Sequence, residues 1–207
     1  PVADANAVFA VWAGGNDVRG LRSDNALSDA DRAPASQAAA QNVVDGVQAL
    51  VDAGAKNALV ANLPDMGLIP ESGVLNLRNE GTASSDAFNE TLRLGLSTMG
   101  ASVKQLNMEA LLATVQGSPE KFGFSAEDHT TVAFDGTAFT GIQAVQGTNG
   151  KGDAGTDSSL YVFFDGIHPS SAMHEVIGDY ALSILAGPTE FAPLTELGLA
   201  VVSQAEA

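Results

Sequence analysis

The sequence contains no cysteine. A disulfide scaffold and a Cys-ligated zinc or iron–sulfur centre are therefore excluded. Cationic side chains are scarce: 9 Lys and Arg stand against 25 Asp and Glu, for a formal net charge of −16. Nucleic-acid binding needs clustered Lys and Arg to displace counterions from phosphates, so this composition argues against it. Long apolar runs are missing too. Nothing approaches the roughly 18 uninterrupted apolar residues that mark a membrane-crossing helix. Disorder is equally excluded as the main state, because charged residues are only 16 % against 45 % apolar and the apolar residues recur in periodic runs. At 207 residues the chain fits one domain with a sizeable core. The acidic, Lys-poor balance predicts high solubility. Absence of thiols is common in exported bacterial proteins and weighs little by itself.

The pattern of apolar residues places the elements. Ala7 to Trp12 is a short, near-continuous apolar run ending at Gly14-Gly15, which predicts a strand buried on both faces of a parallel sheet. Val18 to Ala33 is polar without period and reads as a loop. Pro34 is expected to open a helix with Val43, Val44, Val47, Leu50 and Val51 on one face, ending near Gly54. Asn57 to Leu63 is a second buried strand, stopped by Pro64, and Asp65 to Gly81 a loop. Ser84 or Ser85 is expected to cap a helix that buries Phe88, Leu92, Leu96 and Met99. Ser102 to Leu106 is a third strand and Met108 to Val115 a short helix. Glu120 to Ser159 is the least regular stretch, a length usually reserved for function or mobility. Tyr161 to Phe164 reads as a short strand, Asp165 to Pro169 as a turn, and Pro169 as the start of an amphipathic helix through Met173, Ile177, Tyr180 and Ile184. Strands alternating with helices predict an α/β fold of three layers, α/β/α, around a mostly parallel sheet. Residues 1–186 form one domain portion and 187–207 a tail or junction. Ligands in such sheets bind beyond the carboxyl ends of the strands, where the Gly14–Asp17 turn and the Asp165–His168 turn both fall.

Those two turns carry the chemistry. Asp165 and His168 are three residues apart in a tight turn, so the carboxylate can reach the imidazole Nδ1–H, fix its tautomer and stabilise the imidazolium formed when Nε2 takes a proton. Taken alone, the pair equally fits a helix-capping Asp beside an exposed His. In Gly14-Gly15-Asn16-Asp17, Asn16 can offer an N–H₂ donor to a developing oxyanion. Asp17 is expected to hydrogen-bond within the turn and hold Asn16. Alone, this string is also ordinary turn chemistry.

Together, WAGGND and the later FFDGIHPSSAMHEVIGDYAL resemble the SGNH, or GDSL-type, serine hydrolases. Gly14, Asn16 and Asp17 match that family's G-x-N-D block; Asp165, His168 and Pro169 match its D-x-x-H-P block. ALVANLPDMGLIP (58–70), Phe88-Asn89 and SPEKFGFS (118–125) resemble its lipase/esterase branch. The closest likeness is to autotransporter-esterase passenger domains. The resemblance implies a flavodoxin-like strand order, His168 as general base, Asp165 as its orienter, and Asn16 as oxyanion donor. The implied reaction is carboxylic ester hydrolysis through an acyl-serine intermediate, with no cofactor.

The family's nucleophile lies in a G-D-S block after the first strand, and no G-D-S occurs here. Gly155-Thr156-Asp157-Ser158 lacks the strand-to-helix setting of a nucleophile. The family's glycine block is missing as well. The strand that carries the nucleophile would lie beside Ala7–Trp12, which without it is a bare apolar edge. The chain is therefore expected to be the C-terminal portion of the domain, inactive alone and completed by an N-terminal segment of the same protein, cleaved or continuous. Pro1, standing almost directly before a strand, agrees with a natural start further upstream. A degenerate homologue is the alternative.

Two rivals remain at this point. His129, His168 and His174 do not have the spacing of helical zinc ligands, and His174 is expected to face solvent. Asp153 and Asp157 among Gly150, Gly152 and Gly155 give a weak calcium loop without a closing Glu. A non-catalytic secreted binding or adhesion module is the second. Trp12, Phe163 and Phe164 read as core. A lid would come from Asp65–Gly81 or Asp135–Asp157. The expected substrate is a small-molecule or lipid ester. The C-terminal GPTEFAPLTELGLAVV resembles a passenger-to-barrel junction, which points to a secreted or cell-surface bacterial protein.

Overall fold

The computed structural model describes residues 2–125 and 158–187. Three parallel strands, β1 (Val8–Val11), β2 (Asn57–Ala61) and β3 (Val103–Leu106), lie in the order β1-β2-β3. Val8 pairs with Asn57, and Ala58 with Val103. Among the described residues six α-helices stand around them: α1 (Gly15–Ser23), α2 (Asp29–Asp52), α3 (Pro70–Val74), α4 (Arg78–Ser97), α5 (Met108–Gly117) and α6 (Ser171–Ala186). The α/β class and the parallel sheet are those predicted.

Neighbours on β2 point to opposite sides of the sheet, and Ala58, Leu59, Val60 and Ala61 are all buried, so both faces of this strand are covered. The apolar stripes of α2 (Val44, Val47) and α4 (Phe88, Leu92, Leu96) join one core with β2, α5 and α6. Lys104 on β3 reaches the free carbonyls at the end of α6, with Nζ 2.8 Å from the Leu185 oxygen and 3.2 Å from that of Ile184. A cation there answers the negative end of the helix dipole. Among the described residues no helix is long and apolar enough to cross a membrane.

Several elements depart from expectation. The stretch 18–33 is mostly helical: α1 occupies Gly15–Ser23, and α2 starts at Asp29, well before Pro34. Ser28 supplies the cap, accepting from the Asp31 N–H at 3.3 Å and donating to the Asp31 carboxylate at 2.6 Å, and Pro34 lies inside the helix. Likewise α4 begins at Arg78, and Ser84 and Ser85 are buried in its interior rather than capping it. Ser85 Oγ instead accepts from the Met66 N–H and donates to the Gly81 carbonyl, both at 2.9 Å. Asp65–Gly81 is therefore no free loop; it holds α3 and the first turn of α4.

Tyr161–Phe164 forms no strand, only a single antiparallel bridge between Phe163 and Pro169. The helix after it starts at Ser171, with Ser170 as cap accepting from Met173 N–H at 3.1 Å, so Pro169 stands before the helix. Last, β1 is not buried on both faces. It pairs with β2 alone among the described residues, and Val8 and Trp12 are 52 % and 44 % exposed. Among the described residues no strand covers the other edge of β1.

Candidate active site

Trp12 and Ala13 carry the chain from β1 into Gly14, which adopts φ +99° as the residue before α1. A Cβ on Gly14 would stand 2.2 Å from Cζ of the fully buried Phe88. Only glycine meets both demands. It is what allows the chain to turn into α1 directly over the core. Asn16 and Asp17 occupy the first turn of α1 and are exposed. Asp17 makes no side-chain hydrogen bond among the described residues, contrary to the expectation that it braces Asn16. Its charge instead complements the positive end of the helix dipole.

The second turn is closed by backbone hydrogen bonds, Phe164 N–H to His168 C=O at 2.8 Å and Ser170 N–H to Val162 C=O at 2.9 Å. At its tip Asp165 is 4 % exposed. Its Oδ1 accepts from the N–H groups of Ile167 (2.8 Å) and His168 (2.7 Å). Its Oδ2 lies 2.6 Å from His168 Nδ1. Three donors thus fix one carboxylate, which holds the imidazole by Nδ1 and leaves Nε2 on the far side of an exposed ring. The structure brings Asp165 and His168 together as predicted.

The group that ties α1 to the Asp165–His168 turn leaves almost no mark in the sequence. Glu71 of α3 is 4 % exposed. Arg19 of α1 grips it in a fork, Nε to Oε2 at 2.8 Å and Nη2 to Oε1 at 2.5 Å. Arg22, 1 % exposed, binds the same carboxylate, the Ser72 hydroxyl, and the Met66 carbonyl at 3.2 Å. The Glu71 N–H donates to the Gly166 carbonyl, inside the Asp165–His168 turn, at 3.0 Å. Burial pushes the Glu71 carboxyl upward, but the two guanidiniums outweigh it and hold it below the usual range. Arg19 is raised by its hydrogen bond to Glu71 and, more weakly, by the charge of Asp165. Burial lowers Arg22. The only trace in the sequence is a pair of arginines three apart after the Asn-Asp turn.

Trp12 and Phe164, expected in the core, are 44 % and 40 % exposed, while Phe163 is buried. Trp12, Phe163, Ile167 and Pro169 help to line an apolar cavity of about 60 Å³, so the end of β1 and the Asp165–His168 turn contribute to its wall. A larger polar hollow of about 260 Å³ near Asp86, Arg93 and Glu109 includes no residue of either turn. His174 is exposed on α6. The described residues contain no cluster of three acidic or His ligands fit for a metal. His129, the Gly150–Asp157 loop, the 135–157 lid candidate and the tail from residue 188 lie outside the described residues.

Comparison with known proteins places this geometry in a family. The model of GDSL-like lipases and acylhydrolases matches residues 2–181. The chain belongs to the GDSL-like lipase/acylhydrolase family. It is 35 % identical over 196 residues to Esterase EstA of Pseudomonas aeruginosa, covering 94 % of this chain and 29 % of that protein. It is 32 % identical over 199 residues to an uncharacterized protein of the trpE–trpG intergenic region of Pseudomonas putida, covering 94 % and 31 %. A GDSL esterase/lipase of Arabidopsis thaliana is 28 % identical over 198 residues, covering 87 % and 54 %. The chain thus spans under a third of the length of the bacterial relatives named here.

Proposed function

We propose that this chain is the acid–base and oxyanion portion of a serine carboxylic ester hydrolase. The reading is carried by one observation: the buried Asp165 carboxylate, fixed by two backbone donors, 2.6 Å from Nδ1 of an exposed His168. Nε2 would take the proton of a serine hydroxyl as its oxygen attacks the ester carbonyl, and Asp165 would stabilise the imidazolium that results. The carbonyl oxygen, now anionic, would receive a hydrogen bond from Asn16 Nδ2 at the positive end of α1. Collapse of the adduct expels the alcohol, which takes the proton back from His168. Water, activated by the same base, then releases the acid.

The serine would come from a segment carrying Gly-Asp-Ser that precedes these residues in the protein. The outer edge of β1 supports this, since among the described residues it has no partner strand, and an open edge with Val8 and Trp12 exposed invites a neighbour. Small-molecule or lipid esters fit the site. Short acyl groups are favoured, because the cavity beside the Asp165–His168 turn has room for about two water-sized volumes. We place the protein outside the bacterial cell, secreted or surface-bound, on its acidic composition and the junction-like C-terminal sequence.

The test is hydrolysis of p-nitrophenyl butyrate and labelling by a fluorophosphonate. The isolated chain is expected to do neither, and both should appear when a segment containing Gly-Asp-Ser is supplied. Full turnover by the chain alone would overturn the missing-serine reading. Absence of both labelling and turnover in the complete protein would favour a binding module or a degenerate homologue.

A further inference from the structure

We propose that Glu71 and Arg19 are positioning residues that set the Asn16 helix in register with the Asp165–His168 turn. The inference rests on the hydrolase reading above and adds to it the device that aligns the two halves of the site. Asn16 and Arg19 are three apart on α1, hence on one face of the helix. The Arg19 guanidinium leaves that face to hold both oxygens of Glu71. The backbone of Glu71 holds Gly166, next to Asp165. Every link from Asn16 to His168 is therefore a helix turn, a hydrogen bond or a covalent step, and the path passes through one glutamate.

The chemistry of the clamp suits alignment better than adhesion. A buried ion pair contributes little net stability, because desolvation offsets attraction, and its best-attested use is to fix register. A guanidinium fork on a carboxylate is directional in a way that apolar packing is not. Arg22 fastens the same glutamate from within and is itself held by the Ser72 hydroxyl and the Met66 carbonyl, so Glu71 keeps one cation when Arg19 is removed. Arg19 is the tunable member, since its side chain is 24 % exposed while that of Glu71 is 5 % exposed. The surrounding charges are few: Asp165 is the other carboxylate whose field acts on Arg19.

The experiment uses the complete protein and the Arg19→Ala, Arg19→Lys and His168→Ala variants. Arg19→Ala is expected to lower kcat on p-nitrophenyl butyrate by about tenfold or more, since a misplacement of an ångström costs up to about 100-fold. KM should stay close to that of the parent, and the melting temperature should fall by only a few degrees because Glu71 keeps its contact with Arg22. Guanidinium chloride at tens of millimolar should restore part of the lost kcat, and Arg19→Lys, which lacks the fork, should not recover it. Backbone amide signals of Ile167 and His168 should move in Arg19→Ala while those in the middle of α6 stay fixed. An unchanged kcat with unmoved amide signals would overturn the proposal, as would a fall in kcat matched by loss of folded protein. Turnover by the parent and its loss in His168→Ala test the hydrolase reading separately. Were the parent inactive, that reading would fail and the amide signals alone would decide the alignment.

Discussion

Replacing Gly14 by alanine adds one methyl group at a point where both backbone and core refuse it. The residue holds φ +99°, a conformation that costs an L-residue roughly 1–2 kcal/mol. The new Cβ would stand 2.2 Å from Phe88 Cζ and 2.4 Å from Cε2. Phe88 is fully buried and has nowhere to retreat. Forcing a methyl into a packed core costs about 1–3 kcal/mol more. The total, about 2–5 kcal/mol, would lower a urea midpoint by about 1–2.5 M at a slope near 2 kcal/mol per M. The single tryptophan, Trp12, lies two residues away and reports unfolding by fluorescence. A double-mutant cycle separates the two causes. Phe88→Leu in the Gly14→Ala background should return about 1–3 kcal/mol relative to additivity, because only the clash is relieved. A near-neutral Gly14→Ala, or strict additivity with Phe88→Leu, would refute the reasoning.

Other perturbations have equally definite outcomes. Asp165→Asn keeps the shape of the turn but removes the charge that fixes the imidazole tautomer, so ester turnover should fall by about 10³–10⁴, read from steady-state kinetics. Arg22→Met should cost about 3–5 kcal/mol in urea unfolding, because it leaves part of the buried Glu71 charge unanswered. The Glu71 carboxyl is held below its ordinary value near 4.5, so its contribution is full above that pH and is lost as pH falls through the lower folded value. Stability measured from pH 6 to pH 2 should therefore drop less steeply at the acid end in Glu71→Gln than in the parent. Lys104→Met should free the α6 carbonyls and lower stability by about 0.5–2 kcal/mol, with hydrogen exchange quickened first in the last turn of α6.

What the sequence disclosed follows from how each element earns its stability. Strand β2 buries a continuous apolar run, β3 buries Val103 and Leu106, and helices α5 and α6 bury apolar side chains at helical spacing, so their residues announce them. α1 does not: its buried residues are Val18 and Arg22, and an arginine in the core has no apolar signature. The start of α4 hides for a related reason. Its buried residues there are Gly81, Ser84 and Ser85, chosen for close approach, as a Cβ on Gly81 would stand 2.7 Å from the Gly67 nitrogen. Pro34 misled because Ser28 already caps the helix six residues before it. The Asp165–His168 pair was legible because both groups sit in one turn. The clamp between the turns was not, since Arg19 and Glu71 are brought together only by folding.

The most direct measurement is a crystal structure of the complete protein inhibited by a phosphonate ester. The account predicts the phosphonyl oxygen within hydrogen-bond reach of Asn16 Nδ2, about 3 Å, and His168 Nε2 beside the phosphonylated serine. A serine modified elsewhere, or an Asn16 amide turned away from the phosphonyl group with His168 remote from it, would contradict the account.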